Sequence, residues 1–183
     1  MTRLIAGMTM SLDGFVEDAS GSAAPLYPDF AGLRASAPMQ EAMKTTGAVL
    51  MGRRTFEMAT DPDSFADSYE FRTPLVILTR HPPAKKPKEG DGVSFIFATQ
   101  GLEDAIAQAR RAAGARNVMC VGGAQLIRAL VATNTCDELH IDITPILLGS
   151  GLRLFDRIGA HNLRLDRQTH LPGGRICLAY SLI

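Results

Sequence analysis

The sequence predicts an α/β fold in which a mostly parallel central sheet carries helices on both faces and ends in an antiparallel C-terminal edge. Short apolar segments alternate with helical segments through most of the chain, and this βαβ order is typical of parallel sheets. Two segments near the C-terminus alternate apolar and polar residues around a Pro-Gly-Gly turn, which indicates an antiparallel hairpin. No internal repeat or linker interrupts the 183 residues, so we expect one domain spanning residues 1–183.

Charge balance and cysteine content restrict the class of protein. Lys+Arg and Asp+Glu both number 19, so there is no basic excess with which to bind nucleic acid or an anionic membrane surface. The three cysteines are far apart and form no CxxC motif, which favours reduced core thiols over disulfides or a zinc site. The first apolar run is too short for a signal peptide, and no segment reaches transmembrane length. We therefore expect a cytoplasmic protein.

The first half of the chain predicts three strands and two helical regions. The apolar run of the first strand is nearly unbroken, which indicates burial on both sides. Gly32 and Pro38 are expected to break the first helical region into two pieces. The expected elements are a strand at 3–10, a loop at 11–15, a helical region at 29–44, a strand at 47–52, a helix at 53–58 and a strand at 73–79.

The second half predicts two further strand-helix units and then three strands. Thr99 is a possible cap of the helix that Leu102 and Ile106 mark by their spacing. Strict alternation at residues 136–144 places His140 and Asp142 on the face opposite the apolar residues. The expected elements are strands at 93–98, 117–121, 136–144, 163–170 and 175–183, with one helix marked by Leu102, Ile106 and Ala109 and another by Leu126, Ile127, Leu130 and Val131.

Two adjacent glycines, Gly122 and Gly123, join the predicted strand at 117–121 to the helix that follows. Glycines at such a junction let a ligand approach the backbone closely, because there is no Cβ. The free N–H groups and the dipole of the helix start favour an anion there. A strand-to-helix turn of this kind is also common as a purely structural feature.

Two other predicted strand ends carry phosphate-binding residue types. In an open α/β sheet, ligands bind at the carboxyl ends of the strands. Guanidinium groups, hydroxyls and backbone donors are partners for phosphate. Three such ends on one rim fit a dinucleotide, and the arginines favour NADPH over NADH, although no GxGxxG motif is present. The rim residues are Gly52, Arg53, Arg54, Thr55, Thr79, Arg80, Gly122, Gly123, Ala124, Gln125 and Leu126.

These motifs, taken in order along the chain, resemble the dihydrofolate reductase-like superfamily. Within it they are most similar to the riboflavin-biosynthesis pyrimidine reductases, which form the C-terminal domain of the bifunctional deaminase-reductase. The HxE and PCxxC motifs of the zinc deaminase do not occur in this sequence. The matching motifs are Ser-Leu-Asp-Gly at 11–14, Leu-Met-Gly-Arg-Arg-Thr-Phe-Glu at 50–57, Leu-Thr-Arg at 78–80, Val-Gly-Gly-Ala-Gln at 121–125, Asp-Glu-Leu-His at 137–140 and Leu-Gly-Ser-Gly at 148–151.

The resemblance implies a three-layer reductase fold, a homodimer and a role for each motif. Gly52, Arg53 and Thr55 would contact the cofactor phosphates, Thr79 and Arg80 the adenosine 2′-phosphate, and residues 122–126 the pyrophosphate. Ala6 would offer its backbone to the nicotinamide amide, and Asp13 would lie at the mouth of the nicotinamide pocket. Phe15 replaces the lysine that follows Ser-Leu-Asp-Gly in the riboflavin-pathway enzymes, so recognition of a phosphoribosyl group is not implied.

Hydride transfer to a C=N bond leaves a nitrogen that needs a proton, from a carboxyl group or an ordered water. Asp13 is our candidate for catalysis, with a turn brace before Gly14 as the alternative. Asp29 and Glu41 remain open as counterparts of the helix carboxylate of dihydrofolate reductases, although Asp29 also fits a helix cap. His140 and Asp142 fit a strand face packed under a helix, or a dimer surface, better than a ligand pair. We expect no metal site.

The function predicted from the sequence is NADPH-dependent reduction of a small nitrogen heterocycle, pterin-like or aminopyrimidine-like, or of a related C=N or C=O compound. The protein would supply orientation, because the hydride chemistry belongs to the cofactor. The alternative is a non-catalytic protein of the same fold that binds a dinucleotide or another ligand.

Overall fold

The computed structural model describes residues 2–183, in which strands and helices alternate as the sequence predicts. The helices are α1 (Phe30–Ala35), α2 (Ala37–Thr45), α3 (Arg53–Glu57), α4 (Ser64–Ser68), α5 (Leu102–Ala113) and α6 (Ala124–Ala132). The strands are β1 (Leu4–Ser11), β2 (Phe15–Glu17), β3 (Thr46–Gly52), β4 (Leu75–Leu78), β5 (Phe95–Ala98), β6 (Asn117–Cys120), β7 (Glu138–Thr144), β8 (Leu152–Arg153), β9 (Leu163–Leu171) and β10 (Arg175–Leu182).

Eight of these strands form one sheet in the order β5-β4-β3-β6-β1-β7-β10-β9. Every pair from β5 to β7 is parallel, whereas β10 runs antiparallel to β7 and β9 antiparallel to β10. Strand β1 is central, and its residue Ala6 is level with Cys120 of β6 and with Leu139 of β7. The predicted fold class, a mostly parallel sheet with an antiparallel C-terminal edge, is confirmed.

Helices cover both faces of the sheet, because alternate residues of the central strands enter two separate cores. In β3, Ala48 and Leu50 pack with the residues of α5 and α6, while Val49 and Met51 pack on the opposite face. The second core is rich in aromatic rings, with Phe56 and Phe65 stacked at a centroid distance of 5.7 Å. Burial on both sides explains why the β3 segment reads as a continuous apolar run.

Local details differ from the sequence prediction in three places. The first helical region breaks at Ser36, whose Oγ accepts a hydrogen bond from the Met39 N–H at 3.4 Å, while Pro38 lies in the first turn of α2, where no N–H is needed. Thr99 does not cap α5: the N-cap is Gly101, at φ +99°, without a side-chain cap. Helix α4 and the paired short strands β2 and β8 were not expected.

The strands β2 and β8 matter for the site, because they join the loop after β1 to the loop after β7. Their close contact depends on Gly151, at φ +128°, where a Cβ would lie 2.0 Å from the Glu17 carbonyl oxygen. None of the helices in residues 2–183 is long and apolar enough to cross a membrane.

Candidate functional site

The three predicted strand ends meet at one edge of the sheet. Strands β4, β3 and β6 are neighbours, and their register places Gly52 level with Leu78 and Leu50 level with Cys120. The Gly52 N–H donates a hydrogen bond of 2.9 Å to the Gly122 carbonyl oxygen, so the ends of β3 and β6 are in direct contact. The segments that begin at residues 52, 79 and 122 therefore form one continuous rim.

The glycine pair lies against the start of α3. Gly122 has φ +118°, a conformation that L side chains rarely adopt, and a Cβ there would lie 3.0 Å from Met8 Cε. A Cβ on Gly123 would lie 3.3 Å from the Thr55 hydroxyl oxygen. The peptide bond between the two glycines is cis. Because Gly122 and Gly123 have no side chains, their backbone groups and the Thr55 side chain form this part of the rim.

Helix α6 begins immediately after the pair. The N–H groups of Leu126 and Ile127 donate to the Gly123 carbonyl, at 2.9 and 3.1 Å. The amides of Ala124 and Gln125 have no backbone acceptor within the described chain, as is usual for the first turn of a helix. The side chains of Ala124 and Leu126 are buried in the core, so these residues can offer a ligand only their backbone.

Arg53 and the loop after β4 border a small cleft beside the glycine pair. Arg53 Nη1 donates to the His81 carbonyl at 3.2 Å, and Arg53 Nε pairs with the Glu57 carboxylate at 2.6 Å. Aromatic and aliphatic side chains line the cleft together with polar groups. The lining residues are Arg53, Phe56, Glu57, Ile77, Thr79, His81, Pro83 and Phe97.

Thr79 holds the turn that carries Arg80. Its hydroxyl accepts from the His81 N–H and donates to the His81 carbonyl, both at 3.1 Å. Both functions of this hydroxyl are therefore used within the turn. Arg80 is exposed, and within residues 2–183 its side chain makes no hydrogen bond or ion pair.

Arg54 does not face the rim in the same way as Arg53. Its guanidinium forms an ion pair with the carboxylate of Glu17, a residue that is only 8% exposed, and lies close to Gly21. Arg54 therefore connects α3 to the segment after β1.

Asp13 braces two loops at the end of β1. Its carboxylate accepts hydrogen bonds from the Ser11 hydroxyl at 2.5 Å, the Leu148 N–H at 3.1 Å and the Gly149 N–H at 2.7 Å. These donors, the Ser11 hydroxyl first, lower the pKa of Asp13 from 3.8 to about 2. At neutral pH this group is a carboxylate and has no proton to give, which argues against proton donation and agrees with the turn-brace alternative.

The two helix acids do not face the sheet. Asp29 is the N-cap of α1, where its side chain accepts from the Gly32 N–H at 3.0 Å. Glu41 lies on α2 and is exposed. Neither is therefore in the position of a carboxylate that holds a substrate ring against β1.

A polar face on β1, β7 and β10 was not recognised as a unit from the sequence. His140 and Asp142 of β7 lie on it, as the alternation predicted, but Asp142 is level with Thr9 of β1 and with Cys177 of β10. Burial raises the pKa of Tyr27 and the nearby Thr9 side chain acts in the opposite direction, so the Tyr27 hydroxyl lies close to this face. The pairing register, which the sequence does not give, brings these residues together; period-two alternation was the signal available.

Within residues 2–183 the three thiols are free, and no group of three or more His, Cys, Asp or Glu could hold a metal ion. Burial raises the pKa of Cys120 to about 12 and that of Cys136 to about 11, so neither is a reactive thiolate.

The parallel sheet, the two helical layers and the glycine-containing rim define a domain of the dihydrofolate reductase-like class. The chain belongs to the RibD C-terminal domain family, whose model matches residues 2–177. It is similar to the uncharacterized protein YyaP of Bacillus subtilis, with 21% identity over 97% of this chain and 94% of the relative.

Solved structures share the fold. A putative riboflavin biosynthesis protein of Shewanella sp. PV-4 has a TM-score of 0.77 and 22% identity, covering 100% of this chain and 99% of the other. A dihydrofolate reductase of Enterococcus faecalis, solved with NADP(H), has a TM-score of 0.60 and 16% identity, covering 98% and 96%. The fold is therefore of the reductase type.

Proposed function

We propose that this protein is an NADPH-dependent reductase of a small nitrogen heterocycle, pterin-like or aminopyrimidine-like, or of a related C=N or C=O compound. The observation that carries the proposal is the contact between the ends of β3 and β6. Gly52 bonds to Gly122, and Thr55 lies beside the place where a Gly123 side chain would be. Backbone amides, a hydroxyl and a helix start so close together suit a pyrophosphate.

The positions of the other motifs fit an extended cofactor. Arg53 and Arg80 are on the β4 side of the glycine pair, where a 2′-phosphate would lie if the pyrophosphate is at Gly122–Gly123. On the other side, β6 ends at Cys120, level with Ala6, so β1 has no ladder partner on that side beyond Ala6. Its backbone there is available for the amide of a nicotinamide. The Enterococcus faecalis enzyme of this fold was solved with NADP(H).

When bound, NADPH would supply the hydride, and the protein would orient the substrate beside it. The test is to incubate the full chain with NADPH and a panel of pterins and aminopyrimidines, following the absorbance of reduced nicotinamide. The panel includes 5-amino-6-(5-phosphoribosylamino)uracil, the reductase substrate in the name of a Thermotoga maritima protein with this fold. Consumption of NADPH that depends on one of these compounds is the expected result.

The second candidate is a binding protein that has kept the rim but performs no reduction. The low pKa of Asp13 favours this alternative, because it removes the best proton donor at the end of β1. Tight NADPH binding without consumption across the whole panel would support the binding protein over the enzyme.

We also propose a cytoplasmic homodimer, the assembly implied by the family resemblance. Strand β9 is the outer edge of the sheet, and its Leu163 and Leu165 side chains are 38% and 49% exposed. An exposed edge strand with apolar side chains is a surface that a second copy could cover. Sedimentation velocity of the full chain measures the oligomeric state directly, and a monomer at all concentrations would contradict the proposed homodimer.

A further inference from the structure

Three side chains form a row across the polar face of the sheet. Thr9 of β1 and Asp142 of β7 are cross-strand partners, and Cys177 of β10 is the partner of Asp142 on its other side. Partners in register project from the same face. The Cys177 thiol and the Asp142 carboxyl group are close enough for each to shift the pKa of the other. Asp142 as a whole residue is half-buried.

Tyr27 is fixed above this row. Arg175 Nη2 and the Thr144 hydroxyl both donate to the carbonyl of Leu26, the latter at 3.2 Å, which holds the segment before α1 on the sheet. The Arg175 guanidinium also lies 5.5 Å from the centre of the Tyr27 ring.

Charges around Asp142 are incompletely paired. Arg175 is only 1% exposed, and within the described residues it has no carboxylate within ion-pair distance and no partner for Nη1. His140 of the same strand pairs with Glu138 at 2.8 Å, not with Asp142. Burial raises the pKa of Asp142, although Cys177, Arg175 and His140 act in the opposite direction. A raised pKa increases the fraction of the neutral, proton-carrying acid.

The row is close to the rim. Strand β1 separates β6 from β7, and a Cβ on Gly122 would approach Met8, whose side chain projects from the face of β1 opposite to that of the adjacent Thr9. Strand spacings of about 4.8 Å put the glycine pair and Asp142 on either side of β1, roughly 10 Å apart. A heterocycle placed against β1 would span that distance between a nicotinamide and the Asp142 carboxyl.

We propose that Asp142 is the acid that binds the N–H edge of the substrate ring and gives the proton in the reduction. The proposal rests on the proposed function and assigns to β7 the role that helix α1 or α2 would have in a dihydrofolate reductase. Neither Asp29 nor Glu41 fits that role, because Asp29 caps a helix and Glu41 is exposed. The ligand class is a ring with an amidine-like N–H edge, such as an aminopyrimidine or a pterin.

The chemical step balances in this arrangement. NADPH gives a hydride, with two electrons, to the carbon of a C=N bond, and becomes NADP⁺. The C=N π bond breaks, and the nitrogen takes the proton of the Asp142 carboxyl as a new N–H bond forms. Asp142 is left as a carboxylate and regains a proton from water. Tyr27 and Thr9 position the ring and transfer no proton.

The test uses 2,4-diaminopyrimidine, whose amidine edge takes the proton of the Asp142 carboxyl and then pairs with the resulting carboxylate in two parallel hydrogen bonds. Calorimetric titrations compare the full-length chain with Asp142→Asn, which is nearly the same size. We expect Asp142→Asn to weaken binding by about tenfold or more. Asp29→Asn, the same chemical change at an exposed helix cap, is the matched control and should change binding by less than about twofold. Melting curves and NADPH titrations show whether Asp142→Asn is folded.

A second measurement needs no variant. In wild-type protein carrying ¹³Cγ-labelled aspartate, the Asp142 signal should shift on addition of 2,4-diaminopyrimidine, whereas the Asp29 signal should not. With any compound that is reduced, the rate should fall as pH rises and Asp142 loses its proton, and Asp142→Asn should flatten that profile.

No binding of the probe by wild-type protein, equal binding by Asp142→Asn, or an unmoved Asp142 signal would overturn the assignment. None of these results depends on the 2′-phosphate contacts of the rim. Failure of the inference is therefore distinguishable from failure of the proposed NADPH dependence, which cofactor titrations test separately.

Discussion

Two regions on either side of β1 are built by different means. The rim at the ends of β4, β3 and β6 relies on backbone groups, with glycines where side chains would interfere and an arginine beside them. The polar face of β1, β7 and β10 relies on side chains that meet across three strands, among them Thr9, Asp142 and Cys177. A short stretch of chain defines each part of the rim, whereas only the assembled sheet defines the polar face.

This difference determines how each region should respond to mutation. At the rim, adding atoms should be most harmful, because the proposed cofactor site requires a backbone that a phosphate can approach closely. On the polar face, removing one functional group should be most harmful, because the geometry of the strands persists without it. The predictions below separate these two responses.

The largest effect is expected for Gly122→Val. Its φ of +118° is a true outlier for a β-branched residue, and the new side chain would meet Met8. NADPH affinity should fall by roughly a hundredfold, about 2.7 kcal/mol. The free energy of unfolding should fall by about 1–3 kcal/mol because of backbone strain. Calorimetry and chemical denaturation measure the two quantities.

Gly159→Val is the matched control, since a Cβ at Gly159 has open space around it. It should leave NADPH affinity within about twofold of wild type. If Gly122→Val bound NADPH as tightly as this control, the close approach of a phosphate to the glycine pair would be excluded.

A smaller effect is expected for Arg54→Ala, which tests whether Arg54 and its neighbour Arg53 have different roles. The change leaves the carboxylate of Glu17, only 8% exposed, without its partner. Because 65% of the Arg54 side chain is exposed, solvent screens the pair, and we expect a loss of stability of only about 1 kcal/mol. NADPH affinity should change by less than about threefold, unlike in an Arg53 variant. A large loss of NADPH affinity with unchanged stability would instead show that Arg54 contacts the cofactor phosphates.

The last and smallest predicted effect concerns Asp13, and it appears in the dependence of stability on pH. The folded-state pKa, about 2, is below the ordinary value of 3.8, so folding favours the carboxylate. The stability that Asp13 contributes is therefore present above about pH 4 and is lost as pH falls towards about pH 2. Asp13→Asn should flatten this part of the curve of unfolding free energy against pH. A curve for Asp13→Asn that falls as steeply as that of wild type would show that other carboxylates are responsible.

Much of the fold followed from the sequence because its signals are local. The unbroken apolar run of β3 reflects burial on both faces, and alternation in β7 and β10 reflects their place near the antiparallel edge. The capping of α2 by Ser36 was missed because Gly32 and Pro38 suggested other breaks, although proline is tolerated in the first turn of a helix.

The candidate site was predictable only in part, because only some of its residues give a local sequence signal. Residues 52–55 and 122–126 could be recognised as strand ends with anion-binding chemistry, and their meeting followed from parallel topology. The ion pair of Arg54 with Glu17 and the row through Asp142 depend on loop paths and on strand register. Neither contact is evident in the local sequence pattern, which places Arg54 with the phosphate residues and Asp142 on a packed strand face; the phosphate role of Arg54 stays a prediction.

The most direct test of the rim is the comparison of NADPH and NADH affinity in the variant Arg53→Ala/Arg80→Ala. Titration calorimetry should show NADPH binding weakened by about 10- to 100-fold, because two charge-assisted contacts to the 2′-phosphate are lost. NADH, which lacks that phosphate, should change by less than about threefold. Arg157→Ala, an exposed arginine outside the rim, should leave both affinities unchanged. Equal losses for NADPH and NADH would contradict the proposed placement of the cofactor.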